Sequence, residues 1–160
     1  MATAPDTHVK SLAGDKAVEK ARDLLTGFRS AMLTTRALDG GDVCVRPMGM
    51  LGDPKTFGGR LWFFADNRSR KIAEVTSDPH VSVVFQNDDQ SRYLHLTGTA
   101  SVVNDHTKMR ELYTALIKTW FADGLDDPHL TLIRFDAESG HFWDSPGGML
   151  QVLAAFTKST

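Results

Sequence analysis

Hydrophobic and polar residues alternate with a period of two over much of this chain, which is the pattern of half-buried β-strands. The clearest case is Arg92–Val103, where Leu94 and Leu96 alternate with Tyr93 and His95. The segments that this pattern and short apolar runs predict as strands are Ser30–Arg36, Val43–Leu51, Arg60–Ala65, His80–Gln86, Arg92–Val103, Leu130–Phe135 and Gly140–Asp144.

Helical spacing of apolar residues is confined to a few segments. It predicts helices over Lys16–Phe28, Ser69–Thr76 and His106–Phe121. A short helix is also expected over Leu150–Phe156. We expect the Ser69 hydroxyl to cap the second of these helices, and Asp105 to cap the third. In the third, the apolar face comprises Met109, Leu112, Tyr113, Leu116, Ile117 and Trp120.

The strands follow one another in hairpin-like runs and do not alternate strictly with helices. This order predicts an α+β, mainly β fold: an antiparallel barrel with accessory helices. Pro47 predicts that its strand is an edge strand or contains a bulge, because proline cannot donate to a β-ladder. Gly98 predicts a bend in the middle of a long strand.

Size and composition narrow the functional classes. The chain has 160 residues, which predicts one domain. Its net charge of −2 and its 24% of charged residues do not indicate a protein that binds nucleic acids or membrane surfaces. No apolar run approaches the ~20 residues that span a bilayer. The amino-terminal segment lacks the apolar core of a signal peptide, and the single cysteine, Cys44, cannot form an internal disulfide. We therefore expect a cytoplasmic protein with a flexible tail at 1–15, one domain at 16–145 and a tail or short helix at 146–160.

The segment Leu61–Lys71, LWFFADNRSRK, carries the strongest chemical signal. An apolar, aromatic strand ends in a turn, and cationic residues follow at the start of a helix. Helix N-termini and cationic side chains together suit a phosphate group. Flavin mononucleotide (FMN), which is flat at one end and phosphorylated at the other, fits this arrangement. The alternative interpretation is ordinary: solvated basic residues that follow core aromatic residues.

Other catalytic or metal-binding signals are weak. The histidines do not have metal-ligand spacing, so no metal site is predicted. Asp88 and Asp89 are adjacent in a predicted turn, and neither Gly-x-Gly-x-x-Gly nor Gly-x-Ser-x-Gly occurs. The chemistry is therefore expected to reside in a bound cofactor rather than in acid–base side chains.

The joint order of several segments resembles the flavin-binding split β-barrel family, whose best-known member is pyridoxamine 5′-phosphate oxidase. The segments are Arg-Pro-Met at 46–48, the aromatic strand running into Ser-Arg-Lys at 69–71, Asp-Pro-x-Val-Ser-Val-Val-Phe at 78–85, Gly-x-Ala at 98–100 and Phe-Trp at 142–143. The similarity is strongest to the branch named after general stress protein 26. It implies a six- to seven-stranded split β-barrel that forms a homodimer, with two FMN sites at the interface.

The resemblance also assigns cofactor-binding residues. It implies that Arg46, Pro47 and Met48 lie beside the flavin, and that Phe63, Phe64, Ala65 and Asp66 follow its ring and ribityl chain. Ser69, Arg70 and Lys71 would hold the phosphate, Gln86 would reach the cofactor from the side, and Trp143 would come from the partner chain. Catalytic residues are not assigned.

Several functions stay open at this point. The segment after Trp143 contains neither arginine nor histidine, which argues against oxidation of vitamin B6, because the oxidase uses both residues there. The chain fits a flavin-dependent oxidoreductase linked to stress, with an unknown small-molecule redox partner. It also fits a non-catalytic flavin-binding sensor, carrier or store. FAD, deazaflavin or haem could replace FMN in the same fold, haem with His95 or His141 as its axial ligand.

Overall fold

The computed structural model describes residues 11–144 and 151–154, and these ranges form one mainly β structure with three α-helices. The strands are β1 (Ser11–Ala13), β2 (Ala31–Arg36), β3 (Val43–Met48), β4 (Arg60–Asp66), β5 (His80–Asn87), β6 (Arg92–Val103), β7 (Leu130–Trp143) and β8 (Gln151–Ala154). The helices are α1 (Gly14–Leu25), α2 (Arg70–Ser77) and α3 (His106–Leu112). Short 3₁₀ turns lie at Pro54–Thr56, Ala115–Thr119 and Gly124–Asp126.

The strands form a single eight-stranded sheet in the order β1-β8-β7-β6-β5-β2-β3, with β4 paired to β7. All pairs are antiparallel except β1 with β8. The sheet does not close on itself, as expected for a barrel that is split. Pro47 lies in β3 at one end of this order, which confirms the predicted edge strand.

Strand β7 is the centre of the split. Its first half pairs with β4 from Leu130 to Asp136, and its second half pairs with β8 from Gly140 to Phe142. Strand β6 pairs with β7 along nearly its whole length. One long strand therefore carries two different neighbours on the side opposite β6.

Alternating side chains of the strands fill the main core. Buried aromatic rings come from β4, β5 and both halves of β7, namely Phe63, Phe85, Phe135 and Phe142. Helix α1 packs against this core with a buried stripe of Ala17, Ala21, Leu24 and Leu25. A second, smaller core lies under α3 and consists of Met109, Leu112, Ile117, Phe121, Leu130 and Leu132.

The prediction of two separate final strands is wrong, because Leu130–Trp143 is one continuous strand. Its polar middle looked like a turn in the sequence. In the structure the pairing of β6 with β7 shifts register between Thr97 and Gly98, so Glu138 is accommodated as a β-bulge. Gly98, where a bend was predicted, lies at this shift.

The predicted helix His106–Phe121 is also too long. Helix α3 ends at Leu112, and the chain is extended at Tyr113 and Thr114 before the 3₁₀ turn Ala115–Thr119. Because of this break, the Ile117 side chain packs in the second core. Leu116 and Trp120, which were predicted on the apolar face, are instead 76% and 83% exposed.

Both predicted tails contain a short strand. Residues 151–154 form β8 and not the expected helix, and residues 11–13 form β1 beside it. The physical reason is the unpaired edge of the second half of β7, which β8 satisfies while Leu153 becomes fully buried. The remaining residues of both predicted tails lie outside the described ranges.

The close approach of β6 and β7 at the bulge gives a stability test. A Cβ placed on Gly98 would lie 2.0 Å from the Asp136 carbonyl oxygen, a backbone atom that cannot rotate away. We expect Gly98→Ala to lower the free energy of unfolding by about 2–3 kcal/mol, measured by urea denaturation. The matched control is Gly58→Ala, because nothing lies within 4 Å of its added Cβ. Equal stability of the two variants would contradict the assigned register.

Candidate functional site

A buried ion pair joins helix α2 to the edge strand β3. Arg46 donates from Nη2 to Glu74 Oε1 at 2.8 Å and from Nη1 to Thr35 Oγ1 at 2.7 Å. The Thr35 hydroxyl in turn donates to Glu74 Oε1 at 3.1 Å. Arg46, Leu33 and Thr35 share one face of the sheet, because Leu33 is paired with Arg46 and the side chains alternate. The Arg46 guanidinium is therefore held on the inner face by two partners.

Glu74 is an ionised carboxylate in a buried position, with 0% of its side chain exposed. Burial alone would raise its pKa. The hydrogen bonds from Cys44 and Thr35 and the charges of Arg46 and Arg70 outweigh burial, and the pKa of Glu74 falls below its ordinary value. The second oxygen, Oε2, accepts no hydrogen bond, and Arg70 Nε stands 3.5 Å from it.

Cys44 faces the same carboxylate. The hydrogen bond with Glu74, aided by burial and the glutamate charge, raises the pKa of the Cys44 thiol. The thiol is therefore protonated at neutral pH and is a weak nucleophile.

Lys71 contributes the next positive charge. Burial lowers the pKa of Lys71, the nearby charge of Arg46 lowers it further, and the Asp66 carboxylate opposes them in part. Within the described ranges no carboxylate oxygen lies within 4.0 Å of the Lys71 ammonium. Two cations therefore stand close together, and the Asp66 carboxylate acts on Lys71 only from beyond 4.0 Å.

The turn before α2 differs from the prediction in one respect. The Ser69 hydroxyl does not cap the helix; it donates to the Asp66 carbonyl oxygen at 2.6 Å. Asp66 in turn accepts from the Arg68 backbone N–H and from its guanidinium, which holds the pKa of Asp66 well below its usual range. Arg68 is thereby directed back to Asp66, while the first N–H groups of α2 carry no side-chain cap.

The apolar residues of the predicted site are placed in three ways. Met48, Phe63 and Ala65 point into the main core, so only their backbones can face a ligand. Phe64 packs against the second core. Pro47 is exposed on the outer face of β3.

Two predicted residues, Gln86 and Trp143, lie apart from the start of α2 within one chain. Asp66 is paired with Leu130, the first residue of β7, whereas Trp143 is the last residue of this 14-residue strand. Gln86 pairs with Tyr93, which pairs with Trp143, and the Gln86 amide donates to Asp88. One chain thus contains two groups of predicted site residues. The first comprises Arg46, Asp66, Ser69, Arg70 and Lys71, and the second comprises Gln86 and Trp143.

Sequence reasoning missed Glu74 and Thr35. A glutamate in a short helix with a charged neighbour four residues earlier is usually solvated, and a threonine in a strand carries no special signal. The i, i+4 spacing of Arg70 and Glu74 was a detectable pattern, but it gives no sign that the carboxylate is buried.

The residues at the start of α2 fit a phosphate group. Uncapped helix N–H groups, the half-buried Lys71 ammonium and the remaining donors of Arg46 supply the donors that a phosphate monoester accepts. By contrast, no group of three or more His, Cys, Asp or Glu side chains that could hold a metal occurs in the described part of the chain. Among the helices at 11–144, none is long and apolar enough to cross a membrane.

Comparisons with known proteins agree with this fold. The family model described as pyridoxamine 5′-phosphate oxidase like matches residues 16–160. The curated protein bli-3 of Neurospora crassa is 28% identical over 136 residues, which cover 80% of this chain. The chain spans 65% of the length of that relative.

Solved structures show the same architecture at low sequence identity. A protein related to general stress protein 26 from Clostridium acetobutylicum superposes with a TM-score of 0.70 at 20% identity, covering 84% of this chain and 93% of that one. The general stress FMN/FAD binding protein from Xanthomonas citri gives a TM-score of 0.68 at 24% identity, covering 90% and 96%. At these identities the likeness shows the fold.

The buried glutamate predicts how stability depends on pH. Because its pKa is lowered on folding, the charge of Glu74 stabilises the fold above the unfolded carboxyl pKa of about 4.3. That contribution is lost as the pH falls through the lower folded value. We therefore expect Glu74→Gln to lower the free energy of unfolding by a constant amount between about pH 6 and about pH 8, and by less below about pH 4.

Urea denaturation across this pH range measures the difference. The control is Glu138→Gln, which changes an exposed glutamate on β7 and is expected to have a small effect at every pH. A gap between wild type and Glu74→Gln that widens towards acid would contradict an ionised Glu74.

Proposed function

The chain belongs to the pyridoxamine 5′-phosphate oxidase-like family, and from this we propose that it is an FMN-binding protein that holds the cofactor phosphate at the start of α2. The proposal rests above all on one observation. Lys71 is a half-buried cation beside Arg46, and within residues 11–144 and 151–154 it has no carboxylate partner within 4.0 Å.

The energetics of these cations support an anionic ligand. Burial and the charge of Arg46 both disfavour the protonated form of Lys71 and together outweigh the opposing charge of Asp66, so the pKa of Lys71 is lowered. A phosphate dianion at this position would reverse both effects, because it would interact favourably with each cation. The uncapped first turn of α2 would add backbone donors.

The rest of the flavin would extend from the phosphate along the end of β4. The side chains of Phe63 and Ala65 are buried in the core, so they fix the strand while its backbone stays available to the ligand. A bound FMN would supply the transfer of electrons between a reduced donor and an acceptor. The chain's own residues would bind and orient it, and we propose that the protein acts as an oxidoreductase in the cytoplasm.

We propose further that a second copy of the chain completes the site. Trp143 lies at the opposite end of β7 from Leu130, the partner of Asp66, and Gln86 neighbours Trp143 through Tyr93. A partner chain would bring both residues to the cofactor held at Lys71. The outer face of β2 and β3 supports this arrangement, because Met32, Val43 and Val45 expose 39%, 59% and 54% of their area there. Exposed apolar side chains of this kind are typical of surfaces that bind a protein partner.

The phosphate assignment is tested with one substitution. We expect Lys71→Ala to weaken FMN binding by about 1.5–3 kcal/mol, the contribution of a charge-assisted hydrogen bond. The loss is measured by titrating FMN fluorescence with protein. Arg110→Ala is the matched control, because it removes an exposed cation from α3 at a different site. An unchanged affinity in Lys71→Ala would contradict a phosphate at this position.

The shared site is tested by mixing variants. Lys71→Ala and Trp143→Ala should each bind FMN weakly as pure dimers. After mixing and reassembly, each mixed dimer should regain one site of wild-type affinity, because both lesions fall in the other site. Mixing Lys71→Ala with Arg70→Ala should regain none, since each site then carries one lesion. A monomer by light scattering that still binds FMN would rule out the interface site.

The oxidoreductase role is tested on the FMN-loaded protein. We expect NADH or NADPH to reduce the bound flavin faster than free FMN, measured by loss of its visible absorbance. A rate no faster than that of free FMN would contradict an oxidoreductase that uses these donors and would favour a flavin carrier or sensor.

A further inference from the structure

The carboxylate of Glu74 lies directly behind the cations that the proposed function assigns to the phosphate. It is fully buried, 2.8 Å from Arg46 Nη2 and 3.5 Å from Arg70 Nε. Its Oε2 atom accepts no hydrogen bond. A buried anion immediately next to an anion-binding site repels the anionic ligand and lowers its affinity.

We infer that Glu74 is a specificity-determining residue that weakens phosphate binding through its charge and so limits how tightly FMN is held. The inference rests on the proposed function, and it adds a residue that limits the affinity of the proposed site for FMN. Glu74 itself would touch neither the phosphate nor the flavin ring.

The hydrogen bonds show how the positive charge is divided. Arg46 uses Nη2 on Glu74 and Nη1 on Thr35 and, at 3.5 Å, on the Leu33 carbonyl oxygen. Arg70 is 73% exposed, and its Nε is directed to Glu74. Among the described residues Lys71 makes no ion pair within 4.0 Å, whereas Arg46 and Arg70 share their charge with Glu74.

The burial of Glu74 strengthens the effect of its charge on the neighbouring cations. Solvent screens charges at a protein surface strongly, but it screens a carboxylate with no exposed area much less. With Glu74 ionised, the side chains of Arg46, Arg70, Lys71 and Glu74 carry two net positive charges. Removing the glutamate charge would leave three around the same phosphate, and a change of one charge at short range alters binding by about tenfold.

The first test compares FMN with riboflavin, which has the same ring and ribityl chain and no phosphate. In Glu74→Gln, which keeps the size of the side chain and an oxygen acceptor, we expect FMN to bind about tenfold more tightly. Riboflavin affinity should not change. Unchanged or weaker FMN binding, with riboflavin unaffected, would overturn the inference.

A matched variant separates charge from loosening of the cluster. Thr35→Val removes a neutral partner of both Arg46 and Glu74 and leaves every charge in place. It should not tighten FMN binding. Tightening equal to that of Glu74→Gln would overturn a charge effect.

The wild-type titrations separate this inference from the proposed function. Equal affinity of the wild-type protein for FMN and riboflavin would overturn the phosphate site itself. A wild-type preference for FMN that is the same in Glu74→Gln would overturn only the role of Glu74.

A second test does not depend on folding of a Glu74 variant. Arg70 is exposed and the adjacent Lys71 is only half-buried, so Arg70→Gln and Lys71→Gln are both expected to fold. Because Arg70 shares its charge with Glu74, we expect Lys71→Gln to lose at least about fivefold more FMN affinity than Arg70→Gln. An equal loss, or a larger loss in Arg70→Gln, would overturn the inference.

Discussion

The ion pair between Arg46 and the buried Glu74 connects the elements on which the candidate site depends. A carboxylate that loses all contact with water is tolerated only when charged and polar partners surround it. Here the partners come from β2, from β3 and from α2 itself. The pair therefore fixes the position of α2 against the edge of the sheet, and it brings Arg46 beside Lys71.

The length of β7 imposes the second constraint. A strand of 14 residues that pairs with β4 in its first half and with β8 in its second half separates the two ends of the split barrel. Residues at the start of α2 belong to one end, and Trp143 belongs to the other. We propose that a second chain lets one ligand contact both groups, which is why cofactor binding and dimerisation form one proposal.

Local patterns predicted most of the strands and the turn that leads into α2, because alternation and turn residues act over short distances. The bulge opposite Gly98 was predicted only as a bend, since Asp136–Ser139 looks like a loop until β6 is placed beside it. The pairing of β1 with β8 joins the two ends of the chain and has no local signal. The same limit applies to Glu74, because a charged residue in a short helix indicates exposure unless its distant partner, Arg46, is known.

The central claim is that the cations at the start of α2 bind the phosphate of FMN. The most direct measurement is ³¹P NMR of FMN in the presence of wild-type protein across the range in which a free phosphate monoester titrates, near about pH 6. We expect a shifted phosphorus resonance and a phosphate that stays dianionic well below that pH, because Lys71 and Arg46 favour the charged state. A resonance that follows the titration of free FMN at saturating protein would contradict the central claim.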